Sequence, residues 1–205
     1  MDNILLESAK RSSDHSTGFE YFAERLEEES KIIPIEYPFL EIGVRAGGSS
    51  ELFMHAMQNN PRLFITIDPY GKDYESGGRW PAIGDETYRM TMKSLFKLAY
   101  GYKITHVHYR MRSQDFMSSR PLQYLWMNNE IVKEQYGIVY LDGEHVDSVV
   151  MDELCYFLPK MHESGLIVID DISYLKDTKI DYIKKVMDIG HNDNNRLFID
   201  VKKLL

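Results

Sequence analysis

A single cysteine, Cys155, stands among 205 residues, which excludes an internal disulfide and a thiolate-built metal site. No apolar run approaches the ~20 residues that a membrane span requires. The opening stretch MDNILLESAKRSSDHS lacks the basic-then-apolar order of a secretory signal, so the expectation is a cytoplasmic protein. Basic residues are also short: 24 Lys and Arg against 32 Asp and Glu give a formal charge of -8. Nucleic acid and anionic membranes both require a basic face that displaces counterions or meets headgroups, so neither is an expected partner. A small anionic ligand remains compatible with that charge. Internal repeats and low-complexity tracts are absent as well.

What is present suits one domain with a substantial core, since hydrophobic residues make up 43% of the chain and aromatics 12%. Residues 1–33 carry Phe19, Phe22, Ala23 and Leu26 at helical spacing, with Ser16 or Thr17 as a cap, and read as a helical cover over a sheet edge or site. Pro34 and Pro38 then bracket the entry to a core over 34–205. Strand-like runs at 39–42, 62–67, 103–109, 137–141, 165–169 and 196–201 alternate with helical patterns at 50–57, 86–98, 121–134, 146–158 and 178–187. Trp126 and Met127 are expected in the core. Residues 70–86 show no period and read as a lid or a disordered segment. This alternation predicts an α/β fold, a Rossmann-like doubly wound and mostly parallel sheet of about six or seven strands with helices on both faces.

The chain is organised around YPFLEIGVRAGGSS, residues 37–50. A strand ends there in Glu41 and breaks into a turn where Gly43, Gly47 and Gly48 can take backbone angles closed to other residues. Ser49 or Ser50 can cap the following helix, whose N-terminus is a natural place for a nucleotide-like ligand. Arg45 stands where a dinucleotide fingerprint needs its middle glycine, so a pyrophosphate would be crowded. Asp68, about 25 residues after the turn, suits two ribose hydroxyls, or forms a turn before Pro69. In MRSQDF, an adenine edge could find Ser113, Gln114 or Asp115, unless the segment is only a helix cap. Asp142 follows the fourth strand, and Asp170 and Asp171 follow the fifth. If those strands are neighbours ~4.8 Å apart, the carboxylates converge. They then repel one another unless a cation joins them, and an oxygen-only ligand set suits Mg²⁺ better than zinc. The alternative is that one of Asp170 and Asp171 caps a loop.

Taken together, LEIGVRAGGSS, Asp68, LDGEH and IVIDD resemble class I S-adenosylmethionine-dependent methyltransferases over roughly residues 37–175. The likeness is greatest to the metal-dependent macrolide and aminocoumarin sugar O-methyltransferases. The resemblance implies that Glu41 and Gly43 lie under the methionine and ribose of the cofactor, that Asp68 binds the ribose, and that Ser113 lies near the adenine. It also implies that Asp142, Asp170 and Asp171 hold Mg²⁺. The acceptor would be a small hydroxylated molecule, a saccharide or vicinal diol, and the catalytic base His145, with Glu144 as the second candidate. The usual terminal hairpin is expected to be shortened or absent, leaving an edge that invites a second copy of the chain.

Three other readings compete. Tyr156 and Lys160 have the Tyr-x-x-x-Lys spacing of a nicotinamide-dependent reductase, but Pro159 interrupts that helix and the glycine spacing is wrong. A non-catalytic cofactor-binding protein would not need acids at every strand end. A Mg²⁺-dependent sugar-nucleotide glycosyltransferase would want an Asp-x-Asp turn, which Asp142-Gly143-Glu144 only approximates.

Overall fold

The computed structural model describes residues 4, 7, 19–71, 84–124, 126–127, 130–131, 134–175 and 195–204. Among them a six-stranded sheet runs in the order β3-β2-β1-β6-β7-β8, from β1 (Phe39–Ile42), β2 (Leu63–Ile67), β3 (Thr105–Tyr109), β6 (Tyr136–Leu141), β7 (Met161–Ile169) and β8 (Leu197–Asp200). All neighbours are parallel except β7 and β8, which are antiparallel. The sheet is therefore Rossmann-like, as the alternation of segments predicts, and the sixth strand closes one edge with reversed direction.

Buried positions alternate along each strand between two cores. Phe39, Phe64, Ile138, Tyr140, Leu166, Val168 and Phe198 join helices α1 (Phe19–Ile32), α2 (Gly48–Ala56) and α3 (Asp85–Tyr102) on one face. Leu40, Ile65, Val139, Leu141, Ile167 and Ile199 join α4 (Ser113–Ser119) and α5 (Asp147–Phe157) on the other. The central strands are buried on both faces, which is why they read as continuous apolar runs.

Local chemistry explains where α1 begins and stops. Phe19, Phe22, Ala23 and Leu26 form its buried stripe, with Glu20 in the first turn and Lys31 in the last, as the helix dipole favours. At its end the buried Arg62 guanidinium, entering with β2, donates to the carbonyls of Ser30 at 2.7 Å, Ile33 at 3.2 Å and Pro34 at 3.2 Å. That one side chain thus satisfies a carbonyl of the last turn and two of the residues just beyond it, and ties the end of α1 to the sheet.

One expected helix does not form. Instead of a helix over 121–134, there is a short 3₁₀ turn at Pro121–Tyr124 followed by a two-stranded antiparallel ribbon, β4 (Trp126–Met127) with β5 (Glu130–Ile131). Trp and Ile fit a pleated pairing better than a helix, and tertiary context overrides the weak helical period. The expected core placement of Trp126 and Met127 side chains, the helix at 178–187, the cap at Ser16 or Thr17 and most of the lid segment lie outside the described residues. Among the described residues no helix is long and apolar enough to cross a membrane.

Candidate active site

The C-terminal tips of the parallel strands are stitched into one line. Gly43 N–H donates to Ile67 O at 2.9 Å, Asp68 N–H to Tyr109 O at 3.2 Å, Asp142 N–H to Ile42 O at 2.9 Å and Asp170 N–H to Leu141 O at 3.0 Å. Such an edge is where ligands bind in open α/β sheets.

The glycine turn crosses this edge between β1 and α2. Gly43 and Gly47 take φ of 90° and 85°, and Arg45 joins them at 48°. Gly48 does not; it begins α2, and the helix is capped by Gly47 without a side-chain hydrogen bond. The expected serine cap is thus corrected: Ser49 and Ser50 lie inside the first turn and both hydroxyls donate to the Glu41 carboxylate beneath them. Asp68 braces the same turn. Its Oδ2 accepts from Val44 N–H and Arg45 N–H at 2.9 Å each, and its Oδ1 accepts from Tyr70 N–H at 2.9 Å. A carboxylate has about four acceptor sites, so roughly one remains for a ligand. Tyr70 OH closes the brace by donating to Arg45 O at 2.6 Å.

Glu41 is fully buried, and that burial pushes its pKa up to about 7 against the opposing pull of the Ser49 and Ser50 hydroxyls. The fold therefore favours the protonated form. Its contribution to stability is complete below the ordinary value of 4.5 and is lost as pH rises through about 7. At about 1.4 kcal/mol per unit, the loss is on the order of 3 kcal/mol. Urea midpoints measured across that range are expected to fall more in wild type than in Glu41→Gln; superimposable profiles would contradict this account.

A second group of acids gathers where β6, β7 and β8 meet. Asp170 is buried and accepts from Tyr140 OH at 2.8 Å, while the Arg196 Nε lies 3.0 Å from its other oxygen as an ion pair. Asn195 donates to Asp171 Oδ1 at 2.9 Å. His145 Nε2 sits between two carboxylates, 3.8 Å from Asp142 Oδ1 and 3.4 Å from Asp171 Oδ2. Burial, Asp170 and Glu41 together push the Asp142 pKa well above the carboxylate range. Arg196, Asn195 and Tyr140 are absent from the sequence-based site. The antiparallel register could have found two of them: Ile169 faces Leu197, so Asp170 falls opposite Arg196 and Asp171 opposite Asn195.

The structure thus brings Asp142, Asp170, Asp171 and His145 together, with Glu41, Gly43 and the turn beside them. Glu144 is half-buried and its charge acts on Glu153 of α5. Ser113 opens α4 beyond the tip of β3 and is buried. Tyr156 and Lys160 lie elsewhere: both bond Glu134, just before β6, whereas Asp142 follows that strand's other end. That separation removes the reductase reading. Among the described residues no group of three or more His, Cys, Asp and Glu side chains is arranged to hold a metal ion. The chemistry of the donors nonetheless suits a hard cation: Asp142 and Asp171 are carboxylates that follow neighbouring strands, converging within reach of one imidazole.

Comparison with known proteins accords with this geometry. Residues 40–172 match the family described as a methyltransferase domain. No curated protein matches the chain by sequence. Among solved structures, the chain is similar to MycE methyltransferase from the mycinamycin biosynthetic pathway, bound to Mg and S-adenosylhomocysteine, with a TM-score of 0.58 and 16% identity over 98% of this chain and 55% of that one. It is also similar to the O-methyltransferase TomG of Streptomyces achromogenes in complex with S-adenosylmethionine, with a TM-score of 0.50 and 12% identity over 94% of this chain and 80% of the other. An O-methyltransferase from Bacillus cereus bound to S-adenosylhomocysteine gives 0.52 and 9% identity over 93% and 81%. The chain belongs to the methyltransferase-domain family and has the class I S-adenosylmethionine-dependent methyltransferase fold.

Proposed function

We propose that this protein transfers a methyl group from S-adenosylmethionine to a hydroxyl oxygen of a small molecule, a saccharide or another vicinal diol. The observation that carries the reading is His145, whose Nε2 stands between the carboxylates of Asp142 and Asp171 on the sheet edge that also holds the glycine turn. The turn and Glu41 would receive the amino-acid and ribose part of the cofactor, with Arg45, Gly47, Ser49 and Ser50 shaping its floor, and Asp68 would meet the ribose. Transfer forms an oxygen–carbon bond and breaks the sulfur–carbon bond, so S-adenosylhomocysteine leaves, and the hydroxyl proton goes to His145 Nε2. The flanking carboxylates orient the ring and stabilise the imidazolium that forms. Glu144 is the lesser candidate, because its charge acts toward α5. Asp142 and Asp171, with Asp170 behind them, would hold Mg²⁺, which when bound supplies a Lewis acid that lowers the pKa of the acceptor hydroxyl. The presence of Mg in the MycE complex supports this assignment.

Calorimetric titration with S-adenosylmethionine and S-adenosylhomocysteine, with and without Mg²⁺, tests the reading. Micromolar binding of both is expected, followed by metal-stimulated turnover of a diol acceptor; binding of neither removes the cofactor from the proposal. Replacing His145 with Ala should lower turnover by about 10²–10⁴-fold and leave S-adenosylhomocysteine affinity near wild type. Parallel loss of turnover and affinity would mean that His145 holds the site together and is not the base.

A further inference from the structure

In the helix layer on one face of the sheet, charge is sorted by helix. α1, α2 and α3 lie side by side in that order, since α2 packs on both of the others, α1 also meets β7, and α3 meets the edge strand β3. On the outward side of α3, Arg89, Lys93 and Lys97 are exposed at every fourth residue, which stacks three cations on one face. The outward side of α1 is acidic, with Glu24 and Glu28 exposed one turn apart. No ion pair joins any of these five to another described residue. Charge of the other sign sits at the ends of the two faces: Glu86 in the first turn of α3, and Lys31 in the last turn of α1, already paired with Glu27 at 2.9 Å. Large apolar side chains lie with the charges, Tyr100 on α3 at 90% exposed, and Ile32 and Ile35 at the end of α1 at 58% and 60%.

The two faces are level with each other. α1 ends at Ile32 before β1 and α3 ends at Tyr102 before β3, so both helices finish at the edge of the sheet opposite the strand tips. Glu24 and Glu28 stand eight and four residues before the end of α1, and Lys93 and Lys97 nine and five before the end of α3. With about 1.5 Å of rise per residue, the two pairs lie at nearly the same height. Ile32 and Ile35 fall within a turn of Tyr100. A two-fold axis parallel to these helices would lay one layer on another, set α1 of each copy on α3 of the second, keep their directions and shift nothing along the axis. Glu24 then meets Lys93, and Glu28 meets Lys97. An axis across the helices would set α1 against α1, acid against acid.

We propose that the layer of α1, α2 and α3 docks a second copy of this chain, as an isologous dimer in which the acidic face of α1 meets the basic face of α3. The formal charge of -8 opposes association at long range, so the attraction is local to these faces. The contact uses a face of the sheet and not its edge, and the strand tips stay open.

Sedimentation velocity on the full chain tests this. Wild type is expected to dimerise. Lys93→Glu/Lys97→Glu and Glu24→Lys/Glu28→Lys should each raise the dissociation constant by about tenfold or more, with the far-UV circular dichroism of wild type. An equimolar mixture of the two variants should restore the dimer, because each then offers the other a complementary face twice. The two variants move the net charge in opposite directions, so a loss common to both cannot come from general repulsion. Monomeric wild type overturns the proposal; if that monomer floats with phosphatidylserine vesicles, the basic face serves an anionic surface instead. Variants that dimerise as wild type does, or a mixture that stays monomeric, overturn it as well.

Discussion

Replacing Gly43 with Ala is expected to disable the protein. The added Cβ would lie 1.9 Å from the Asp142 carbonyl oxygen and 2.4 Å from its carbon, both backbone atoms, at a φ of +90°. Neither neighbour can swing away, so the tips of β1 and β6 must separate, and the hydrogen bond from Asp142 N–H to Ile42 O goes with them. Left-handed strain of roughly 1–2 kcal/mol and overpacking of about 1–3 kcal/mol add to a large share of the ~5–15 kcal/mol that holds a typical domain together. Gly101 provides the contrast. It lies in α3 with nothing within 4 Å of an added Cβ, and Gly101→Ala should stabilise by roughly 0.5–1 kcal/mol. Urea denaturation separates the two. Gly43→Ala should also lose S-adenosylhomocysteine binding, and a midpoint equal to that of Gly101→Ala would show that the strand tips are not packed as described.

Removing the Arg196 charge should be nearly as damaging. Arg196 is fully buried, its guanidinium carbon 4.1 Å from the centre of the Phe19 ring, and its Nε is paired with Asp170 at 3.0 Å. In Arg196→Met the Asp170 carboxylate would remain buried beside Asp142 and Asp171 without that cation. Breaking one side of a buried pair typically costs about 3–5 kcal/mol. The double variant Arg196→Met/Asp170→Asn removes the stranded charge as well and should recover part of the loss, because Tyr140 OH can still donate to the amide oxygen. Equilibrium denaturation of the two single variants and the double one closes the cycle. Simple additivity would mean that Arg196 acts through its contacts with Phe19 and Phe22 and not through Asp170.

The sequence made the sheet legible because its central strands are buried on both faces and flanked by helical periods; the run GIVYL at 137–141 could hardly be anything else. Asp68, Asp142 and Asp170 were legible because each directly follows such a run, so placing Ile67, Leu141 and Ile169 also placed what comes next. The braces were not. Nothing in the order of residues said that Ser49 and Ser50 would turn down onto Glu41 and leave the helix end to Gly47, or that Asp68 would hold Val44 and Arg45 in place. Those contacts depend on the depth of one strand tip relative to its neighbour. Arg196 escaped notice because its partner is set by the antiparallel register of β7 and β8, and the sequence reading had no direction for the last strand. The segment at 121–134 misled because four apolar residues in a short stretch fit a helix and a ribbon about equally well.

That reversed final strand also sets an order on assembly. Asp142, Asp170 and Asp171 are all translated before Asn195 and Arg196, which reach them only when β8 docks against β7. At about 5–20 residues per second, the ribosome adds the stretch from Asp170 to β8 in a few seconds. Until β8 docks, Asp170 lacks its Arg196 partner and Asp171 its Asn195 donor. The residues that gather the acids into a site therefore come from the last strand of the sheet to be translated.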